Sequence, residues 1–230
     1  MRILFMGTPD FAVASLRRLV EDGHEICGVF TQPDKPKNRG HKLAFSPVKE
    51  YALSQGLTVY QPTKLRDGTA LELIRTLAPE LTVVAAYGRI LPEDILAAPK
   101  LGSINVHSSL LPKYRGAAPI NWAVINGETE TGITTFFLKH EIDTGEVIQQ
   151  VRIPIADTDN VGVVHDKLME LGGRLVVETV DHILTDTIRP IPQEEMAVKG
   201  PLHPAPKIFK ETCKMDWQGR PLKPLYDFVR

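Results

Sequence analysis

The sequence predicts an α/β fold: a mostly parallel sheet with helices on both faces. Two observations predict it. The chain opens with an apolar strand, Arg2 to Met6, a turn at Gly7-Thr-Pro-Asp10, apolar residues at helical spacing (Phe11, Ala14, Leu16, Leu19, Val20) and a second apolar strand, His24 to Thr31. Strand, helix and strand in that order pair in parallel through a right-handed crossover. Further on, LTVVAA (Leu81 to Ala86) is a continuous apolar run, the pattern of a strand buried on both faces.

The other elements follow in order. The first helix spans Phe11 to Glu21 and closes at Gly23, where a glycine past a helix end is favoured. Gln32 to Ser46 (QPDKPKNRGHKLAFS) reads as a loop. Helices are expected at Pro47 to Gln55, Gly68 to Ala78, Pro92 to Ala97 and Pro119 to Asn126, with a strand at Gly102 to His107. Gly132 to Leu138 and Val147 to Ile155 are strands of more antiparallel character, joined by a turn around Asp143-Thr-Gly145. Asn160 to Leu184 carries apolar residues three and four apart, an amphipathic helix with N-cap candidates in Asp157-Thr-Asp-Asn and a candidate bend at Gly172-Gly173. From Arg189 the composition turns Pro-rich, so residues 1–188 are expected to form one catalytic-sized domain and residues 189–230 an edge segment or linker.

Composition narrows the function. The 230 residues are 43% hydrophobic and 24% charged with a net charge of −1, an ordinary globular profile. Whole-molecule attraction to nucleic acid or membrane is not indicated, so any basic site must be local. The two cysteines, Cys27 and Cys213, form no C-x-x-C pair, which fits a reduced, cytoplasmic chain. No apolar run approaches the ~18 residues of a membrane span, and MRILFMGTPDF is interrupted too early for a signal peptide. The chain is expected to act as a monomer. The histidines show no metal-ligand spacing, and no metal is assigned.

Gly7-Thr-Pro-Asp lacks the second and third glycines of a dinucleotide fingerprint, so a tight turn is favoured there over pyrophosphate binding. Asn105 and His107 are two apart on a strand and share a face. At the carboxyl end of a parallel strand, an amide that donates to a developing oxyanion and an imidazole that moves a proton suit acyl transfer. An Asn and a His satisfied by loop backbone is the competing reading, and residue types alone leave both open. Asp143 has the look of an Asx-type turn residue. It gains a role only if its turn folds over His107, where a carboxylate orients an imidazole and stabilises its positive charge. Lys35, Lys37, Arg39, Lys42 and Lys49 crowd one region with a single acid, Asp34, which suits a solvated loop or a phosphate-bearing partner.

The segments MRILFMGTPDFAV, TQPDKPKNRGHKLAFSPVK, VVAAYGRILP, INVHSSLLPKYRGAAPI, TGITTFF, IDTGEVI and KMDW occur across nearly the whole chain, and their order and spacing count as much as their residues. Together they resemble the folate-dependent formyltransferases, and most closely the branch that formylates methionyl initiator tRNA. The resemblance implies a Rossmann-like sheet and transfer of the formyl group of 10-formyltetrahydrofolate to the methionyl α-amino group in translation initiation. It implies catalytic roles for Asn105, His107 and Asp143. It implies folate contacts from Ser109, Leu110, Leu111 and Pro112, and from Arg89, Ile90 and Leu91. It implies tRNA contacts from the basic segment, with Arg39 the key cation beside Lys35, Lys37 and Lys42. It also implies a further C-terminal β-barrel domain beginning about where this chain stops at Arg230. Amino-sugar nucleotide and glycinamide ribotide formyltransferases share the Asn, His and Asp and are the alternative. A non-catalytic RNA-binding module and a dinucleotide oxidoreductase fit the residues less well.

Overall fold

Residues 1–37, 42–219 and 221–230 are described by a computed structural model. Its strands are β1 (Arg2–Gly7), β2 (Glu25–Phe30), β3 (Lys35–Lys37), β4 (Lys42–Ala44), β5 (Val59–Tyr60), β6 (Leu81–Ala85), β7 (Ser103–His107), β8 (Glu130–Phe137) and β9 (Val147–Pro154). Its helices are α1 (Asp10–Glu21), α2 (Pro47–Ser54), α3 (Thr69–Leu77), α4 (Glu93–Leu96), α5 (Pro119–Ile125), α6 (Val161–Leu184) and α7 (Leu222–Val229).

One sheet of seven strands runs β5-β2-β1-β6-β7-β8-β9. The first five pair in parallel, and β8 and β9 add an antiparallel edge. The chain builds outward from β1 to β2 and β5, then crosses to β6 on the other side. That reversal opens a crevice at the carboxyl ends of the strands, where ligands bind in such sheets.

Alternate residues of β1 face opposite layers. Ile3 and Phe5 join Val83, Ile104 and Val106 in a core with α1, α2, α5 and α6. Leu4 and Met6 join Phe30 and Val84 in a second core with α3 and α4. Helices therefore cover both faces, as the two-sided apolar strands require.

The long helix α6 is capped by Asn160, whose side chain accepts from the Val163 amide at 3.0 Å. Gly172 and Gly173, the candidate bend, lie inside one continuous helix. Their role is close packing: a Cβ at Gly173 would sit 3.0 Å from the Ala14 carbonyl of α1, and one at Gly172 would sit 3.2 Å from Val106 of β7.

The stretch expected to be a loop, Gln32 to Ser46, contains the antiparallel hairpin β3–β4, with Lys35 opposite Ala44. Its strands are three residues each and lack apolar alternation, so the sequence pattern does not betray them. The ends of the segment are pinned where Thr31 Oγ1 meets Ser46 Oγ at 2.7 Å. Residues 189–206 run back over the sheet edge: Ile191 bridges Val147, and Ala205 bridges Gly116.

Candidate active site

The carboxyl end of β7 delivers Asn105 and His107. Ile104 and Val106 point into the α1–α6 core, so the odd-numbered residues face the other way; Ser103 Oγ donates to the Leu96 carbonyl of α4 at 2.9 Å. Among the described residues the Asn105 side-chain amide makes no hydrogen bond, which leaves it free to donate to a substrate oxygen.

His107 is buried, and its two ring nitrogens face Tyr114 and Asp143. Nε2 lies 2.9 Å from the Tyr114 carbonyl, Nδ1 lies 3.8 Å from Asp143 Oδ2, and the ring meets Phe136 edge-on at 6.3 Å. The Asp143 turn thus folds over the Asn105–His107 end. A separation of 3.8 Å is beyond hydrogen-bond reach. Catalytic contacts are often long before substrate binds and tighten with it.

Two local features place Asp143. Its φ of 55° is in the left-handed region, which a short polar residue tolerates better than most. Gly145 then passes against the Phe137 carbonyl so closely that a Cβ there would collide with it. The carboxylate is fixed where Oδ2 accepts from the Gly116 amide at 2.8 Å.

Tyr114 holds the imidazole from behind through its backbone carbonyl. Its φ is 59°, its amide donates to the His203 carbonyl at 2.7 Å, and its ring stacks on His203 at 5.9 Å. Its hydroxyl donates to Glu128 Oε1 at 2.7 Å, and Lys113 reaches the same oxygen at 3.1 Å. Burial, reinforced by that carboxylate, pushes the Tyr114 phenol well above its ordinary pKa. No residue-type pattern announces this support, because it runs through main-chain atoms.

The Ser109–Pro112 stretch is a braced wall. Ser109 Oγ donates to the Lys113 carbonyl at 2.7 Å, and Thr134 Oγ1 donates to the Ser109 carbonyl at 2.7 Å. The Leu111 amide donates to Thr134 at 3.2 Å, and Gln150 donates to the Leu111 carbonyl at 3.0 Å. Leu111 is buried against Phe136 and Val147, Pro112 is buried, and Leu110 is half-buried beside Gly132.

Arg89 and Ile90 line a cavity of about 650 Å³ with Thr63, Lys64, Leu65, Arg66 and Asp67. That volume is in the range of small-molecule sites. Arg89 closes one wall by donating to the carbonyls of Pro62 at 2.7 Å and Thr63 at 2.8 Å, while Leu91 is buried beneath. Asn105, His107 and Asp143 are not among its lining residues. Asn105 and His107 sit on β7, the strand next to β6, from whose end the Arg89–Leu91 lip departs.

Of the basic cluster, Lys35 is exposed on β3. Lys37 and Lys42 are opposite each other in the hairpin. Arg39 lies outside the described residues. Lys49 is not a free cation: its ammonium is 2.5 Å from Asp34 and 2.9 Å from Gln61. The Lys49 ammonium first, and second the Gln61 amide, whose Nε2 donates to Asp34 Oδ1 at 2.8 Å, hold the Asp34 carboxyl below its ordinary pKa.

A family profile described as formyl transferase matches residues 1–180. The methionyl-tRNA formyltransferase of Bacteroides thetaiotaomicron is 65% identical over 230 residues, which span all of this chain and 71% of that protein. The chain belongs to the formyl transferase family, among the methionyl-tRNA formyltransferases. The Porphyromonas gingivalis protein of that name is 47% identical over the same span of this chain, again matching 71% of its own length. Among solved structures, an N-formyltransferase from Helicobacter canadensis in complex with folinic acid and dTDP-3-aminofucose superimposes with a TM-score of 0.74 at 20% identity, covering 99% of this chain and 79% of that one. A phosphoribosylglycinamide formyltransferase from Streptococcus pneumoniae gives 0.64 at 23% identity, covering 80% and 98%. At those identities the two structures establish the formyltransferase fold alone. Among the described residues no helix is long and apolar enough to cross a membrane.

Proposed function

We propose that this formyltransferase moves the formyl group of 10-formyltetrahydrofolate to the α-amino group of methionyl initiator tRNA through Asn105, His107 and Asp143. The observation that carries the reading is the Asn105 amide, unpartnered among the described residues, beside His107, with Asp143 Oδ2 3.8 Å from the imidazole. The neutral amine attacks the formyl carbon and a C–N bond forms. Asn105 donates to the formyl oxygen as it becomes an oxyanion. His107, oriented by Asp143, relays the proton lost by the amine to the folate nitrogen as the old C–N bond breaks. The amine is the nucleophile, so no covalent enzyme intermediate is required.

The donor's rings would lie between the Arg89–Leu91 lip and the Ser109–Pro112 wall. Lys35, Lys37, Arg39 and Lys42 would meet phosphates of the acceptor arm, whereas Lys49 is committed to Asp34. The test is formyl transfer to methionyl initiator tRNA, with an amino-sugar nucleotide and glycinamide ribotide as competing acceptors. Asn105→Ala should lower the rate about 10²–10³-fold in folded protein. A near-wild-type rate, or preference for either competitor, overturns the reading.

A further inference from the structure

Gln193 stands in the Pro-rich stretch after Arg189, on a one-turn 3-10 helix (Gln193–Glu195), and is 2% exposed. Its Nε2 donates to the carbonyls of Asp143 at 2.9 Å and Gly145 at 2.8 Å. Its Oε1 accepts from Arg115 Nε at 3.0 Å and from a terminal guanidinium nitrogen at 2.7 Å. Among the described residues neither carbonyl accepts a backbone hydrogen bond, so Gln193 satisfies both.

The contacts close a ring. Gln193 holds the Asp143 main chain. It also holds Arg115, whose neighbour Gly116 donates its amide to Asp143 Oδ2 at 2.8 Å. The Asp143 carboxylate is therefore located from two directions, and both lead back to one amide. A primary amide suits the post because it supplies two N–H donors and a carbonyl acceptor on one plane. A carboxylate lacks the donors, and an apolar side chain lacks everything. Asp143 needs such a clamp because it sits at a φ of 55°, in a turn with little ladder pairing of its own.

We propose that Gln193 is a positioning residue for the reaction. It acts through Asp143 on His107, and it couples the 189–206 segment to the reacting centre. The proposal rests on the catalytic reading of Asp143.

Gln193→Met keeps the volume and removes the hydrogen bonds. Formyl transfer should fall about tenfold or more in kcat, with KM for the formyl donor nearly unchanged. Gln193→Met combined with Asp143→Asn should be no slower than Asp143→Asn alone, because both changes act on one group. A merely structural residue would give losses that multiply instead, and that result overturns the proposal. Amide hydrogen exchange supplies an arm that does not need activity. In Gln193→Met the Gly116 amide and residues 143–145 should exchange about tenfold faster or more, while β1 and β6 keep their protection. Unchanged exchange at Gly116 also overturns it. Should the wild-type protein transfer no formyl group, the function fails, and the exchange arm still decides whether Gln193 holds the turn.

Discussion

The Nε2 of His107 lies 2.9 Å from the backbone carbonyl of Tyr114. A carbonyl only accepts, so this nitrogen carries the proton of the neutral ring. The other nitrogen, Nδ1, is then unprotonated in the neutral ring and is the one that would take up the amine's proton, with the Asp143 carboxylate 3.8 Å away to stabilise the imidazolium. The tautomer of the imidazole is thus set by a main-chain atom, and Tyr114 keeps that atom in place through His203 and Glu128.

Because the orienting atom is the carbonyl, the Tyr114 side chain is dispensable for the tautomer but not for stability. Tyr114→Phe removes the hydroxyl from Glu128, which retains Lys113. A loss of about 1 kcal/mol is expected for a partly screened hydrogen bond to a carboxylate. Thermal melting should show a fall of roughly 2–4 °C for a chain of this size. The kcat for formyl transfer should change by less than about threefold. A hundredfold fall in kcat at unchanged melting temperature would place the phenol in the chemistry itself and contradict this account.

Asp143→Asn isolates charge from shape. Asn also tolerates the left-handed backbone, and its side-chain oxygen still accepts from Gly116. Only the negative charge facing His107 is lost. Formyl transfer should fall about 10²-fold or more, while the affinity of a folate analogue, measured by titration, stays the same. Weakened folate binding with intact turnover of bound substrate would move Asp143 from the reaction to the donor site.

How much of this was legible in the sequence differs by element. The β-α-β opening, the buried β6 run and the α6 stripe were visible because each buries a face with a fixed period. Asn105 and His107 were visible as a pair because the strand period puts them on one side. From residue types Asp143 was visible only as a turn residue, and its role came from the family resemblance alone, since its approach to His107 depends on the β8–β9 turn curling across β7. Gln193 and Tyr114 were hidden for a different reason. The hydrogen bonds that tie them to the site end on backbone carbonyls, and a carbonyl has no residue-type signature. The β3–β4 hairpin was hidden by its short, Lys- and Pro-rich strands.

The base of that hairpin should respond to acid. Lys49 and Gln61 hold the Asp34 carboxyl below its ordinary pKa. A lowered carboxyl contributes stability that is present above its unfolded pKa and lost as pH falls through the folded value. Hydrogen exchange across residues 32–36 and 44–49 should therefore accelerate below about pH 4, the ordinary carboxyl range, before the sheet itself loosens. Asp34→Asn should abolish that acid step. Persistence of the step in Asp34→Asn would assign it to another group.

Gly145 gives the sharpest link between packing and chemistry. Its backbone lies against the Phe137 carbonyl, and a Cβ would overlap it. The obstacle is main chain in β8, so it cannot swing aside as a flexible side chain would. Gly145→Ala must push the turn outward, at a cost of about 1–3 kcal/mol for overpacking. Melting should drop by roughly 2–12 °C. The same displacement carries Asp143 away from His107 and breaks the Gln193 hydrogen bond to the Gly145 carbonyl. Formyl transfer should therefore fall about as far as in Asp143→Asn, even at temperatures where the variant is fully folded. Gly200→Ala is the control for backbone strain alone: its φ is 77° but nothing lies within 4 Å of its Cβ position, so it should cost stability and leave kcat unchanged. Full activity in folded Gly145→Ala would mean that Asp143 reaches His107 without the turn's present shape.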